Sequence, residues 1–480
     1  MHINEMKKLF FLGIGGIGMS ALARYFKSLG AEVSGYDKTQ TTLTDELERE
    51  GIHVVFEDDL NLYPKEIDLV VYTPAIPKDH KGFKFYKDNN YELRKRSEVL
   101  GIISADRFTI AVAGSHGKTT VSSMIAHILI QSGFKTTAFL GGICNNYNSN
   151  YITSPQTPEG GLNTNTKSHY DFLGGSSPFG GQGAGIVVIE ADEFDHSFHR
   201  LSPDMAVITA VDTDHLDIYG TKEKIDEAFV EFTNKIAEEG FLAIKSQQSI
   251  EDKLPVLDKA FYSLHDTTSD VYCPQYWVTH GGYLFHVNYF GTEIKNLRLN
   301  IGGFHNIENA IAAITIAKEL KISNEDIKSA LASFKGIKRR FEKVFENDNV
   351  IFIDDYAHHP EEIRVFVESI REIYPKKKIT AVFQPHLFSR TKDLAKEFAE
   401  QLSKADEVIL LDIYPARELP MEGVTSDLIF NQLTCAEKSL VKKEELIDFV
   451  KNKSFEVLLT IGAGDIDKYL VPIKEILTSR

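Results

Sequence analysis

Apolar residues along this chain come in short runs that end in glycine or polar residues and are followed by stretches with helical spacing. Leu9 to Leu12 is the first such run. A helical pattern from Met19 to Leu29 follows it, and then a second run from Glu32 to Tyr36. Asp68 to Tyr72, Phe108 to Ala113, Ile186 to Ile189, Val350 to Ile353, Ile379 to Phe383, Glu407 to Leu411 and Val457 to Ile461 repeat the pattern. Continuous apolar runs alternating with amphipathic stretches are how parallel strands covered by helices are written, so the predicted class is α/β.

At 480 residues the chain is too long for one compact core. The punctuation divides it in three: a Rossmann-like N-terminal domain over residues 1–105, a central P-loop ATPase domain over 106–335, and a Rossmann-like C-terminal domain over 336–480. Within the second, residues 154–185 are rich in Gly, Ser, Asn, Thr and Pro without an apolar period, and read as a flexible surface insertion.

Composition narrows the function classes. Hydrophobic residues make up 42% and charged residues 25%, the balance of an ordinary globular protein. A net charge of -16 argues against a broad nucleic-acid footprint, which needs clustered basic surface. Cys144, Cys273 and Cys435 are scattered without metal spacing, as expected in a reducing cytoplasm. No span approaches the ~20 apolar residues of a membrane helix, and the reading carries no targeting segment and no membrane insertion.

The strongest chemical signal is Gly114-Ser115-His116-Gly117-Lys118-Thr119-Thr120 between a strand and a helix. Small residues let backbone N–H groups approach phosphate oxygens, Lys118 adds a cation near the outer phosphates, and Thr119 can hold magnesium. Lys118 reads as an exposed loop cation whose removal leaves the fold intact. Gly13-Ile14-Gly15-Gly16-Ile17-Gly18 occupies a similar place, with Asp37 at the end of the next strand. By itself it fits a diphosphate, either of NAD or of a UDP-sugar. The second phosphate loop favours the UDP-sugar, because hydride transfer has no need of a triphosphate site.

Other clusters follow strands. Glu190 ends an apolar strand beside the phosphate loop and is the metal candidate, while Asp192 and Glu193 are read as either further ligands or solvated acids. His215, in Asp214-His215-Leu216-Asp217, is a second metal ligand, its outer partner, or structural. Asn306 and Asn309 share a helix face: Asn306 can cap that helix, or the pair can present amides to a purine. Arg339 and Arg340 are a solvated pair or reach a transferring phosphate. Asp354-Asp355-Tyr356-Ala357-His358-His359-Pro360, Gln384-Pro385-His386 with Arg390, and Gly462-Ala463-Gly464-Asp465 all follow strands and would line one sheet edge.

With these pieces in order, and with Tyr72-Thr73-Pro74-Ala75-Ile76 added, almost the whole chain resembles the Mur ligases of peptidoglycan synthesis. The resemblance implies an amide-forming ligase that uses ATP and Mg2+ to join L-alanine to the lactyl carboxylate of UDP-N-acetylmuramate through an acyl phosphate. Gly114 to Thr120, Asn306, Asn309, Arg340 and Asp355 would bind ATP, and Thr119, Glu190 and His215 would serve the metal. Gly15, Gly16, Ile17, Gly18, Asp37, Thr73, Pro74 and Ala75 would hold the sugar nucleotide, with His386 and Arg390 toward the amino acid. Lys118, Arg340 and His358 carry the chemistry, with His358 as proton acceptor. The alternative within the family is a ligase that recycles an intact tripeptide, whose first loop lacks the Gly15-to-Ser20 run seen here. A monomer or weak homodimer in the cytoplasm is expected.

Overall fold

A computed structural model describes residues 5–154, 185–212, 216–416 and 418–480. The expected insertion at 154–185 falls almost wholly outside them, and so does His215. The chain packs as two compact units. The first is Met1–Pro274, His286–Lys295 and Glu308–Leu331, and the second is Gln275–Phe285, Asn296–Ile307 and Ala332–Arg480.

The first unit holds two sheets. Strands Lys8–Leu12, Glu32–Tyr36, His53–Val55, Leu69–Tyr72 and Leu93–Lys95 form a parallel sheet in which the first strand lies at the centre, between Glu32–Tyr36 and Leu69–Tyr72. Its chain reversal at that central strand is the switch point where open α/β sheets take ligands. The larger sheet is built on Thr109–Ala113, which is wholly buried between the parallel neighbours Ile186–Glu190 and Met205–Ile208. Helix Ile17–Ser28 of the first sheet packs on the hairpin Thr136–Cys144 and Ser149–Thr153 of the second. Tyr25 is 2% exposed and meets Phe139 edge-on at 5.4 Å and Tyr151 at 6.2 Å. Beside it Arg24 donates to buried Asn150, whose amide nitrogen donates to Ile17 O and to Ser20 Oγ. One apolar core therefore runs through both sheets.

In the second unit a six-stranded sheet places Ile351–Asp355, Val457–Ile461 and Ile379–Phe383 side by side and parallel. The residues that follow these strands emerge at one edge. An antiparallel strand, Glu342–Glu346, flanks the sheet. Strands Tyr276–Thr279, Gly282–Tyr289 and Thr292–Leu299 form an antiparallel ribbon that the apolar pattern did not predict and that continues the larger sheet through Val271–Tyr272, not the six-stranded one.

Candidate functional site

The phosphate loop turns on two glycines in the left-handed region, Gly114 at φ +134° and Gly117 at φ +82°. Neither tolerates a side chain. A Cβ on Gly114 would lie 2.2 Å from Thr209 Oγ1, and one on Gly117 would lie 2.6 Å from Asn309 Oδ1. Asn309 is thus set against the loop, and Thr209, which no motif marked, fixes it by donating to His116 O. Ser115 N donates to Ala210 O at 3.0 Å, and Ser115 Oγ accepts from Asp212 N at 2.9 Å. His116 is exposed, 3.9 Å from Asp212, and Thr120 is buried in the first turn of helix Lys118–Gln131.

Lys118 is not the exposed cation expected from the sequence. Its ammonium donates to Gly114 O at 2.6 Å and to Glu193 Oε1 at 2.7 Å, and Glu193 is itself only 3% exposed. Burial pushes the Glu193 carboxyl up from its usual range, and Lys118 opposes that shift. Thr119 Oγ1 donates to Glu190 Oε1 at 3.0 Å, while Gly141 N holds Glu190 Oε2 at 2.7 Å. A Cβ on Gly141 would fall 2.2 Å from that carboxylate. Among the described residues no cluster of three or more His, Cys, Asp or Glu forms a metal cage.

At the first loop Gly13 N and Ile14 N both donate to Tyr36 O, and Gly13 sits at φ +87° with Thr73 Cγ2 where its Cβ would be. That contact brings the Thr73-Pro74-Ala75 segment onto the glycine loop, with Pro74, Ala75 and Gly16 exposed. Asp37 Oδ2 accepts from Gly15 N at 2.8 Å, and Oδ1 accepts from Thr39 N at 3.2 Å. Ile17 and Gly18 open the helix behind the loop.

In the second unit the two arginines part company. Arg339 donates through Nε to buried Asp354 at 3.0 Å and through Nη2 to Gly462 O at 2.6 Å, with its guanidinium 5.2 Å from the Tyr356 ring. It is structural. Arg340 is exposed, and its charge bears on His305, whose pKa falls to about 4, chiefly through burial. Asp355 accepts from Phe341 N at 2.7 Å and Ala357 N at 2.8 Å, and burial raises its pKa to about 7. Asn306 is 4% exposed and donates to Gly302 O at 2.6 Å.

The expected edge of polar groups assembles after the three central strands. The His358 and His386 rings meet edge-on at 6.1 Å, His386 stacks on Tyr414 at 5.8 Å, and Arg390 Nη1 lies 3.4 Å from His358 O. Burial, then Arg390 and His358, holds His386 below its usual pKa. Leu387 turns the chain at φ +72° into helix Phe388–Leu402, and Ser389 is gripped by Glu418. Gln384 bonds Asp465 at 2.8 Å, and Lys443 bonds the same carboxylate at 2.8 Å.

Comparison with known proteins gives these loops a common frame. Residues 8–108 match the Mur ligase family catalytic domain, 112–317 the Mur ligase middle domain, and 339–464 the Mur ligase glutamate ligase domain. The chain belongs to the Mur ligase family. Relatives are similar over its whole length: a UDP-N-acetylmuramate--L-alanine ligase of Flavobacterium johnsoniae is 45% identical over 99% of both chains. Another so named, from Porphyromonas gingivalis, is 44% identical over 98% of this chain and 99% of that one. A solved UDP-N-acetylmuramate-alanine ligase from Thermotoga maritima superposes with a TM-score of 0.81 at 27% identity, covering 99% of this chain and all of that one. A murein peptide ligase from Psychrobacter arcticus shares the fold at a TM-score of 0.65.

Proposed function

We propose that this Mur ligase joins L-alanine to the lactyl carboxylate of UDP-N-acetylmuramate, using ATP, to give UDP-N-acetylmuramoyl-L-alanine, ADP and phosphate for peptidoglycan synthesis. The observation that carries this reading is the end-to-end likeness to ligases of that name, and the loop geometry supplies the means. The positioning of the carboxylate and the γ-phosphoryl group falls to the two glycine loops, in keeping with a reaction in which proximity and charge neutralisation do most of the lowering of the barrier.

In the first step Lys118 exchanges Glu193 for the phosphates, and Arg340 neutralises charge that develops on the transferring group. Asn309, and Asn306 on the same helix, hold the adenine side of ATP, and Asp355 orders the Phe341 and Ala357 backbone beside Arg340. Thr119 and Glu190 offer hard oxygens 3.0 Å apart, the donor type magnesium takes, with His215 as a further ligand or outer partner. Bound there, magnesium would neutralise β- and γ-phosphate charge. In the second step Arg390, with His386, orients the L-alanine carboxylate, and His358 accepts the proton that its ammonium must lose before attack on the acyl phosphate. Substrates of this kind place the reaction in the cytoplasm, and no helix among the described residues is long and apolar enough to cross a membrane.

The test is ADP release with UDP-N-acetylmuramate and each amino acid in turn, with the L-Ala-γ-D-Glu-diamino acid tripeptide as competitor. L-Alanine should give the highest kcat/KM. Preference for the tripeptide would assign the recycling reaction instead, and hydride consumption with NAD(P)H would remove the ligase reading.

A further inference from the structure

Arg96 lies where the two phosphate loops of the first unit come under opposing charges, and the mechanism above makes no use of it. It opens helix Arg96–Ala105, directly after the edge strand Leu93–Lys95 of the first sheet. Its guanidinium crosses Gly18 so closely that a Cβ there would fall 2.0 Å from Nη1. Glycine at position 18 therefore makes room for an arginine in the first turn of a helix whose amino end already favours anions. Arg96 Nη2 donates to Asp192 Oδ2 at 3.1 Å, and among the described residues this is the only hydrogen bond of a group with five N–H donors. The side chain is 24% exposed and that of Asp192 is 40% exposed, so the pair is accessible and weakly held. Asp192 precedes Glu193, the acid that holds Lys118. Two consecutive carboxylates thus each restrain one cation, Lys118 of the phosphate loop and Arg96 beside Gly18 of the first loop.

We propose that Arg96 is a positioning residue for the anionic oxygens of the sugar nucleotide, diphosphate or lactyl carboxylate, and that Asp192 is the group it leaves in order to take them. The proposal rests on the ligase reading and deepens it. A guanidinium fork matches either anion in two parallel hydrogen bonds, whereas its bond to Asp192 uses a single nitrogen. Asp192 then acts as an internal competitor for the substrate, and the two residues must affect binding with opposite sign. An ion pair that merely held the helix in place would give losses of the same sign at both positions.

The experiment is calorimetric titration of the full chain with UDP, UDP-N-acetylglucosamine and UDP-N-acetylmuramate, for the wild type, Arg96→Gln, Arg96→Lys and Asp192→Asn. Arg96→Gln should raise Kd for UDP-N-acetylmuramate about 10-fold or more, the size of a lost charge-assisted hydrogen bond, and Arg96→Lys should recover part of it. Asp192→Asn should lower Kd. A loss shared by UDP and UDP-N-acetylglucosamine identifies the diphosphate as the partner, and one confined to UDP-N-acetylmuramate identifies the carboxylate. The proposal is overturned if Arg96→Gln binds like wild type, or if Asp192→Asn fails to tighten binding. Wild-type protein that binds no UDP-N-acetylmuramate would overturn the ligase reading along with it.

Discussion

Replacing Lys118 with alanine should damage the fold as well as the reaction. The side chains of Lys118 and Glu193 are 15% and 4% exposed, and their charges are 2.7 Å apart. Removing one partner of a buried pair costs ~3–5 kcal/mol, because the other charge is left uncompensated. The residual exposure of Lys118 argues for the lower end, about 3 kcal/mol, or a fall in Tm of roughly 4–5 °C for a cooperative unit of this size. The loss should also depend on pH. Burial already raises the Glu193 carboxyl, Lys118 opposes this, and its removal lets the pKa climb further. An acid with a raised folded pKa keeps its proton in the folded state after the unfolded chain has released it, so stability falls as pH rises from the ordinary glutamate range near ~4.3 upward. The Lys118→Ala deficit should accordingly be larger at pH 8 than at pH 5. Adding Glu193→Gln should restore most of the stability at pH 8, while ATP turnover stays more than about 10-fold below wild type. Denaturant melts of the wild type, Lys118→Ala and the double variant at both pH values decide the matter. A Lys118→Ala protein as stable as wild type at pH 8 would refute the argument.

Gly141→Ala should push a methyl group into the Glu190 carboxylate and, like Glu190→Gln, shift the magnesium titration of ATP turnover to higher concentration while UDP-N-acetylmuramate binding stays near wild type; an unchanged titration would move the metal elsewhere. Arg390→Ala should raise KM for L-alanine alone, and a parallel rise for all three substrates would make Arg390 structural. Asp355, with its pKa raised to about 7, should lower wild-type stability as pH rises from the ordinary aspartate range toward 7. Asp355→Asn should flatten that part of the Tm-against-pH curve, and parallel curves would contradict the assignment.

The parallel sheets were legible because strands covered on both faces, such as Thr109–Ala113 and Val457–Ile461, are written as unbroken apolar runs. The ribbon from Tyr276 to Leu299 was not, since Trp277 and Val278 are exposed and Thr292–Leu299 mixes charged and apolar positions. Glycine loops and polar clusters after strands were legible as segments, but not which of their side chains pair. Asp192 and Glu193 look alike in sequence, yet one faces Arg96 from 96 residues away and the other is buried on Lys118 from 75. Arg96 itself belongs to a basic run, Arg94-Lys95-Arg96, that carries no motif. Tertiary burial alone separates these cases.

The seam of Tyr25, Phe139 and Tyr151, with Arg24 on Asn150, bears on how the protein can be dissected. A fragment ending near residue 105 would carry Tyr25 and Phe26 without the hairpin that covers that face, and would strip Arg24 of its Asn150 acceptor. Such a fragment should aggregate when expressed alone. Limited digestion should leave residues 5–154 on one protected piece, with the glycine loop and the phosphate loop retained together.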